Sequence, residues 1–221
     1  MKAGQALLDL LFPPKCPFCR RLLEEGEELL CPRCQMTLPW LTGPRGERKV
    51  AHTDGCFSPL SYEGLVVEAV HRYKFKGMRN YEKAFGLLMT QCAQSRLWER
   101  MDGVTWAPLS RGRLRERGYD QARLLAVQVG KGLGLPVVPT LAKVRESCPQ
   151  SHLEGAAARR ANAAGAYILS SRVQSLPKRL ILVDDVVTSG STLSECAQIL
   201  RRAGVETVWG LTLAQAGRDG P

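Results

Sequence analysis

The sequence predicts an α/β fold, a parallel sheet flanked by helices, with a small four-cysteine module ahead of it at the N-terminal end. Three observations carry that prediction. Residues 180–183 are the unbroken apolar run Leu-Ile-Leu-Val, which suits a strand covered on both faces rather than one that alternates between core and water. The run passes through Asp184 and Asp185 into the turn Thr188-Ser189-Gly190-Ser191-Thr192, beyond which Leu193, Ala197 and Leu200 recur at helical spacing. Elsewhere short apolar runs alternate with helical patterns, as in a parallel sheet that takes ligands at the carboxyl ends of its strands.

From the N-terminus, residues 3–12 read as an amphipathic helix packed on the body. Cys16-Pro17-Phe18-Cys19 and Cys31-Pro32-Arg33-Cys34 follow, separated by eleven residues. Each Cys-x-x-Cys points two thiolates at one place, and two such knuckles complete a tetrahedral sulfur shell for zinc. With Cys16, Cys19, Cys31 and Cys34 all engaged, no position is left for an activated water, so the site is expected to be structural. Redox chemistry is the rival reading; it needs a pair at a helix start, and two matched pairs speak against it. Cys56, Cys92, Cys148 and Cys196 sit apart in unrelated contexts, a pattern of a reducing compartment with one metal site rather than of disulfides.

Residues 41–55 read as a linker, with domains expected at 1–50 and 51–221. A strand is expected over 56–62, a helix over 64–75, a helix over 81–98 and a strand over 104–107. Residues 111–121 carry four arginines against two acids. With their two glycines they predict a flexible loop that folds over a phosphate or pyrophosphate, its candidates being Ser110, Arg111, Arg113, Arg117, Gly118 and Gln121. A helix over 122–132, a short strand over 136–138, a helix closed by Arg159, Arg160 and Asn162, a strand over 166–169 and a last strand over 207–213 complete the pattern. Gly204 is placed to stop the helix before that last strand.

At 221 residues the chain can bury a proper core, and its 44% hydrophobic and 24% charged residues are ordinary for a globular protein. No apolar run reaches the length of a membrane span, and a signal peptide is not expected. The formal net charge of +10 favours polyanions: nucleic acid, phosphorylated small molecules or an anionic membrane surface. Candidate nucleic-acid contacts are Lys74 and Lys76, in an aromatic and basic stretch from His71, together with Arg145, Arg159 and Arg160. A basic helix C-terminus is equally what the helix dipole favours at Lys74.

The acid pair and hydroxyl turn define the sharpest candidate site. Unpaired N–H groups at a helix start attract anions, Gly190 lets backbone approach them closely, and the hydroxyls add donors. The carboxylates can accept hydrogen bonds from a vicinal diol or hold a hydrated divalent ion. A sugar phosphate satisfies both ends, through Asp184, Asp185, Val186, Thr188, Ser189, Gly190, Ser191 and Thr192. A plain polar turn is the alternative, and it explains the combination less well. The arrangement resembles the phosphoribosyl pyrophosphate loop of the type I phosphoribosyltransferases. That resemblance implies acids on the ribose hydroxyls, the loop on the 5′-phosphate, and Mg²⁺ accompanying phosphoribosyl pyrophosphate or ribose 5-phosphate.

The chain as a whole resembles the ComF family, of the ComFC and GntX type. The two knuckles carry the likeness, with Tyr62-Glu63-Gly64, Lys74-Phe75-Lys76-Gly77, Ala107-Pro108-Leu109, Arg117-Gly118-Tyr119-Asp120-Gln121, Gln150, Arg160, Asn162 and the loop from Asp184 to Thr192. Tyr119 and Asp120 stand where the family has Phe and Asn, which weakens any phosphate-facing role for Asp120. The resemblance implies a role in bringing single-stranded DNA into the cell, in natural transformation or in DNA utilisation, alongside a ComFA-type helicase and the ComEC channel. It implies a cytoplasmic protein, peripheral at the inner face of the membrane. An active Mg²⁺-dependent phosphoribosyltransferase with an unknown acceptor is the alternative; the sequence shows an intact loop and no identifiable acceptor pocket.

Overall fold

The computed structural model describes residues 13–27, 29–97, 100–145, 165–173 and 175–217. The expected helix over 3–12, and Cys148, Gln150, Arg159, Arg160 and Asn162, lie outside the described residues. In chain order the elements are α1 (Pro32–Thr37), β1 (Glu47–Arg48), β2 (Gly55–Phe57), β3 (Leu60–Ser61), α2 (Leu65–Phe75), α3 (Glu82–Arg96), β4 (Gly103–Trp106), α4 (Arg111–Arg117), α5 (Gln121–Leu133), β5 (Leu141–Lys143), β6 (Tyr167–Leu169), β7 (Arg179–Val187), α6 (Ser191–Arg202) and β8 (Thr207–Gln215).

The main sheet runs β1-β2-β8-β7-β4, with β3 also on β8. All its pairings are parallel except β1 with β2. β7 lies between β8 and β4, and Leu180, Ile181, Leu182 and Val183 are all 0% exposed. Ile181 and Val183 join the core with Tyr73, Phe85 and Leu125, whereas Leu180 and Leu182 join Leu193, Ala197 and Leu200 of α6. This two-sided burial is the reason the sequence runs apolar without alternation.

Several expectations need correction. β7 does not stop at Val183 but runs on to Val187, because β8 continues beside it, with Asp184 opposite Thr212 and Val187 opposite Gln215. β4 ends opposite Val183, so the acids project where one neighbour has left the ladder. The strand expected over 56–62 breaks at Ser58-Pro59: Pro59 has no N–H to donate, and the Ser58 hydroxyl instead meets Thr212 Oγ1 at 2.7 Å. Part of the supposed linker is structured, since β1 pairs with β2. The strand expected over 136–138 is reduced to a bridge between Val137 and Val104. The strand expected over 166–169 is β6, but it pairs antiparallel with β5 in a separate ribbon rather than joining the parallel sheet.

Residues 111–117 form a helix, α4, rather than a loop. Ser110 caps its start, accepting from Arg113 N at 3.3 Å. Gly118, at φ +75°, ends it. Asp120 then caps α5, accepting from Arg123 N at 3.1 Å and holding Leu109 N at 3.1 Å and Trp106 Nε1 at 3.3 Å. Those bonds give Asp120 a structural role, in line with the doubt over its facing a phosphate. Gly204, at φ +98°, stands just after α6, where the sequence placed a stop.

Candidate functional site

The cysteine knuckles are built locally. Around the first, Cys16 N donates to Arg21 O and Arg20 N to Cys16 O, both at 2.9 Å, with Arg20 in the left-handed region at φ +65°. The second opens α1: Cys31 is the N-cap, Pro32 stands at the helix start, and Cys34 N donates to Cys31 Sγ at 3.4 Å. The four Sγ atoms lie within 4.8 Å of one another, with Cys19 and Cys31 3.5 Å apart. Tetrahedral zinc with bonds of about 2.3 Å places its sulfurs roughly 3.8 Å apart, so the cluster fits the ion and is a structural zinc site. The helix start that redox chemistry needs is present at Cys31, but the other pair closes over it. Cys56, Cys92 and Cys196 are buried, and burial raises each thiol pKa, that of Cys56 to about 12, which makes them poor nucleophiles.

The acid pair lies near the carboxyl end of β7, beyond the point where β4 stops, and successive strand residues point to opposite faces. Asp184 faces the α6 side, where burial first and the Asp185 charge second push its carboxyl up to about 7. Its Oδ1 accepts from Asp185 N at 2.8 Å. Asp185 faces the α2 side and pairs with Lys74 Nζ at 2.8 Å. The chain then turns through Thr188 and Ser189 to Gly190, the N-cap of α6 at φ +76°. A Cβ on Gly190 would stand 3.1 Å from Val50, so glycine is needed for space as well as for dihedral. Ser189 Oγ donates to Ser191 Oγ at 3.1 Å and accepts from Ser191 N at 3.4 Å. A small cavity at this loop is lined by Asp184, Val186, Thr188, Gly190, Ser191 and Thr192.

Cations surround the pair. Arg117, half-buried in α4, lies 4.7 Å over the Phe75 ring and donates to Gln121 Oε1 at 3.1 Å. Burial lowers its pKa, while the charge of Asp185 opposes that shift. On the other face Lys143 stands over Tyr167 at 4.9 Å. Its pKa is lowered by burial and by Arg113, against the pull of Asp184. Glu195 of α6 fastens this ribbon, accepting from Ala166 N at 2.7 Å and Tyr167 N at 3.3 Å. Arg48 of β1 donates to the carbonyls of Val187 and Thr188 and so braces the turn from behind.

The structure therefore gathers Asp184, Asp185, the hydroxyl turn, Arg113 and Arg117 into one region. Ser110 and Gly118 are helix boundaries, Gln121 is 1% exposed and bonded to Arg117, and Arg111 is exposed. Lys74, expected at a nucleic-acid surface, is instead turned inward onto Asp185; Lys76 and Arg145 are exposed. Sequence reasoning missed Arg48, Lys143, Tyr167 and Glu195 as parts of the site. Only Lys143 carried a signal, as the start of a basic segment over residues 143–150, and nothing local tied it to the acids.

Fold and clusters together define the class: a parallel α/β protein carrying a zinc ribbon. A double zinc ribbon domain model matches residues 7–50. The chain is 30% identical over 224 residues to competence protein F of Haemophilus influenzae, covering 90% of this chain and 97% of that protein. It is 31% identical over 200 residues to the DNA utilization protein YhgH of Salmonella typhimurium, covering 87% of this chain and 86% of that one. It also aligns with glutamine phosphoribosylpyrophosphate amidotransferase from B. subtilis at a TM-score of 0.43 and 20% identity, over 63% of this chain and 30% of that one, a likeness too loose to carry function. The chain belongs to the ComF family of competence protein F, ComFC and YhgH.

Proposed function

We propose that this protein assists the uptake or utilisation of DNA, handling single strands, and that the end of β7 binds a ribose phosphate. Kinship with competence and DNA utilization proteins supports the first part. One observation carries the second: two carboxylates near the carboxyl end of a buried strand stand just before a glycine-opened helix start, with cations on both faces. Phosphate would lie on the N–H groups of residues 189–192 and the ribose diol on the carboxylates. Arg113, Arg117 and Lys143 would face a pyrophosphate, and with phosphoribosyl pyrophosphate Mg²⁺ would neutralise that group. Those same cations favour a second reading, transfer of the ribose phosphate to an acceptor, since they would stabilise a departing pyrophosphate.

Single strands would follow exposed cations such as Lys76 and Arg145, at the inner face of the membrane beside a ComFA-type helicase and the ComEC channel. No helix among the described residues is long and apolar enough to cross a membrane. The decisive experiment is calorimetry with phosphoribosyl pyrophosphate and Mg²⁺ on the wild type and on Asp184→Asn with Asp185→Asn. Binding that survives the double substitution would remove the acid pair from the site. Release of pyrophosphate in a screen of nucleobase and amine acceptors would establish the transferase reading.

A further inference from the structure

We propose that Lys74 is a tethered cation of the acid pair: it takes the place a divalent ion would have at Asp185, so that the carboxylates grip a ribose diol without a metal. The proposal rests on the ribose-phosphate reading of this site and assigns the helix α2 residue a positioning role within it.

Three observations lead there. The first is occupancy. Asp185 Oδ1 is engaged by Lys74 Nζ at 2.8 Å, and Asp184 Oδ1 by the Asp185 N–H at 2.8 Å. Among the described residues each carboxylate's other oxygen makes no hydrogen bond, so Asp184 and Asp185 can each offer one acceptor to the two hydroxyls of a vicinal diol. The second is burial. The Lys74 and Asp185 side chains are 21% and 13% exposed, so water screens the pair far less than a surface ion pair. The third is charge. Arg117 acts on Asp185, and Lys143 acts on Asp184, so both faces already carry positive charge from the chain itself. A hydrated Mg²⁺ entering between the acids would have to displace or repel the ammonium, and it binds best where carboxylates stand without such a partner. Any Mg²⁺ brought by phosphoribosyl pyrophosphate would then sit on the pyrophosphate rather than on Asp185.

The position of Lys74 is set without any sugar ligand. Tyr73 next to it is 0% exposed and donates to Gln121 O at 3.1 Å, and Arg72 before it is tied to the first knuckle. The ammonium is therefore delivered to Asp185 by a helix end that is already fixed, which is what a permanent substitute for a metal requires.

Ribose 5-phosphate, which lacks the pyrophosphate, isolates this question. Its binding is measured by calorimetry in EDTA and in Mg²⁺ for the wild type, Lys74→Met and Lys74→Arg, with thermal unfolding recorded for each. The wild type is expected to bind equally in both buffers, within about twofold. Lys74→Met should lose at least about tenfold in EDTA and regain affinity in Mg²⁺, and Lys74→Arg should keep the metal-independent binding. A wild type that needs Mg²⁺ for ribose 5-phosphate overturns the proposal, as does Lys74→Met binding unchanged in EDTA. The wild-type comparison decides even if Lys74→Met does not fold. Absence of ribose 5-phosphate binding in either buffer is a different result, and it would sink the ribose-phosphate reading together with this one.

Discussion

The cysteine cluster and the acid-pair loop hold their shapes by opposite means. The four thiols come from a turn and a short helix start within 19 residues, and few apolar side chains are local to them, among them Phe18, Leu30 and Leu38, which reach the core beside Phe85. Without the metal, four thiols and their surrounding turns have few reasons to stay together. The loop at the end of β7 is the reverse case. It grows from a strand buried on both faces and is braced from two other segments, by Arg48 and Val50 at and just after β1 and by Lys74 of α2. One cluster is made by its metal, the other is held by the fold.

That contrast can be broken by experiment, most strongly at the cysteines. Cys16→Ser with Cys19→Ser, or zinc removal, should unfold residues 13–40 and expose them to protease, since structural zinc supplies on the order of 10 kcal/mol of folding free energy in small modules. Unchanged proteolysis of the metal-free protein would show that packing alone holds the module. Next comes the strand beneath the loop. Leu182→Ala, at a fully buried position, should cost about 2–5 kcal/mol in denaturant unfolding while zinc stays bound.

A smaller effect is expected from pH. The Asp184 carboxyl is raised from the ordinary range near 4 to about 7 in the folded protein. Between those values the folded state holds a proton the unfolded state has lost, so stability should fall as pH rises through that window, by at most about 1.4 kcal/mol per pH unit. Asp184→Asn should flatten this slope, and an unaltered profile would mean that Asp184 is solvated like a surface acid. The smallest effect is at Gly190. Gly190→Ala should cost about 1–2 kcal/mol, because φ is positive there and Val50 crowds the new methyl. A neutral result in thermal unfolding would show that the turn yields, and with it that the loop is less preformed than its bracing implies.

The two sites also differ in how much of them the sequence disclosed. All four zinc ligands were legible because their geometry is fixed by spacing along the chain. Asp184, Asp185 and the turn to Thr192 were legible for the same reason. Lys74, Lys143, Arg48 and Glu195 were not, since each reaches the site by folding back from another element. The length of β7 escaped as well: its partner β8 decides how far the ladder runs, and a strand read alone ends at its first charge. Residues 111–117 misled through composition. Arginines and glycines suggested a loop, whereas Ser110 and Gly118 are the cap and stop of a helix with few residues between them. The strand at 166–169 was taken for part of the main sheet, and its antiparallel partner β5 was not read as a strand, because apolar runs say where strands are, not which sheet they enter.

The last turn of α2 has one more consequence. Arg72 holds the carbonyls of Pro17 and Phe18 between the first two zinc ligands, at 3.1 and 2.7 Å. Tyr73 holds Gln121, Lys74 holds Asp185 and Phe75 lies under Arg117. Four successive residues thus span both sites through one rigid peptide segment. A shift of the zinc knuckle would be handed on to the acid pair within a single helical turn, so metal status would be audible at Asp185 well before the sheet began to come apart.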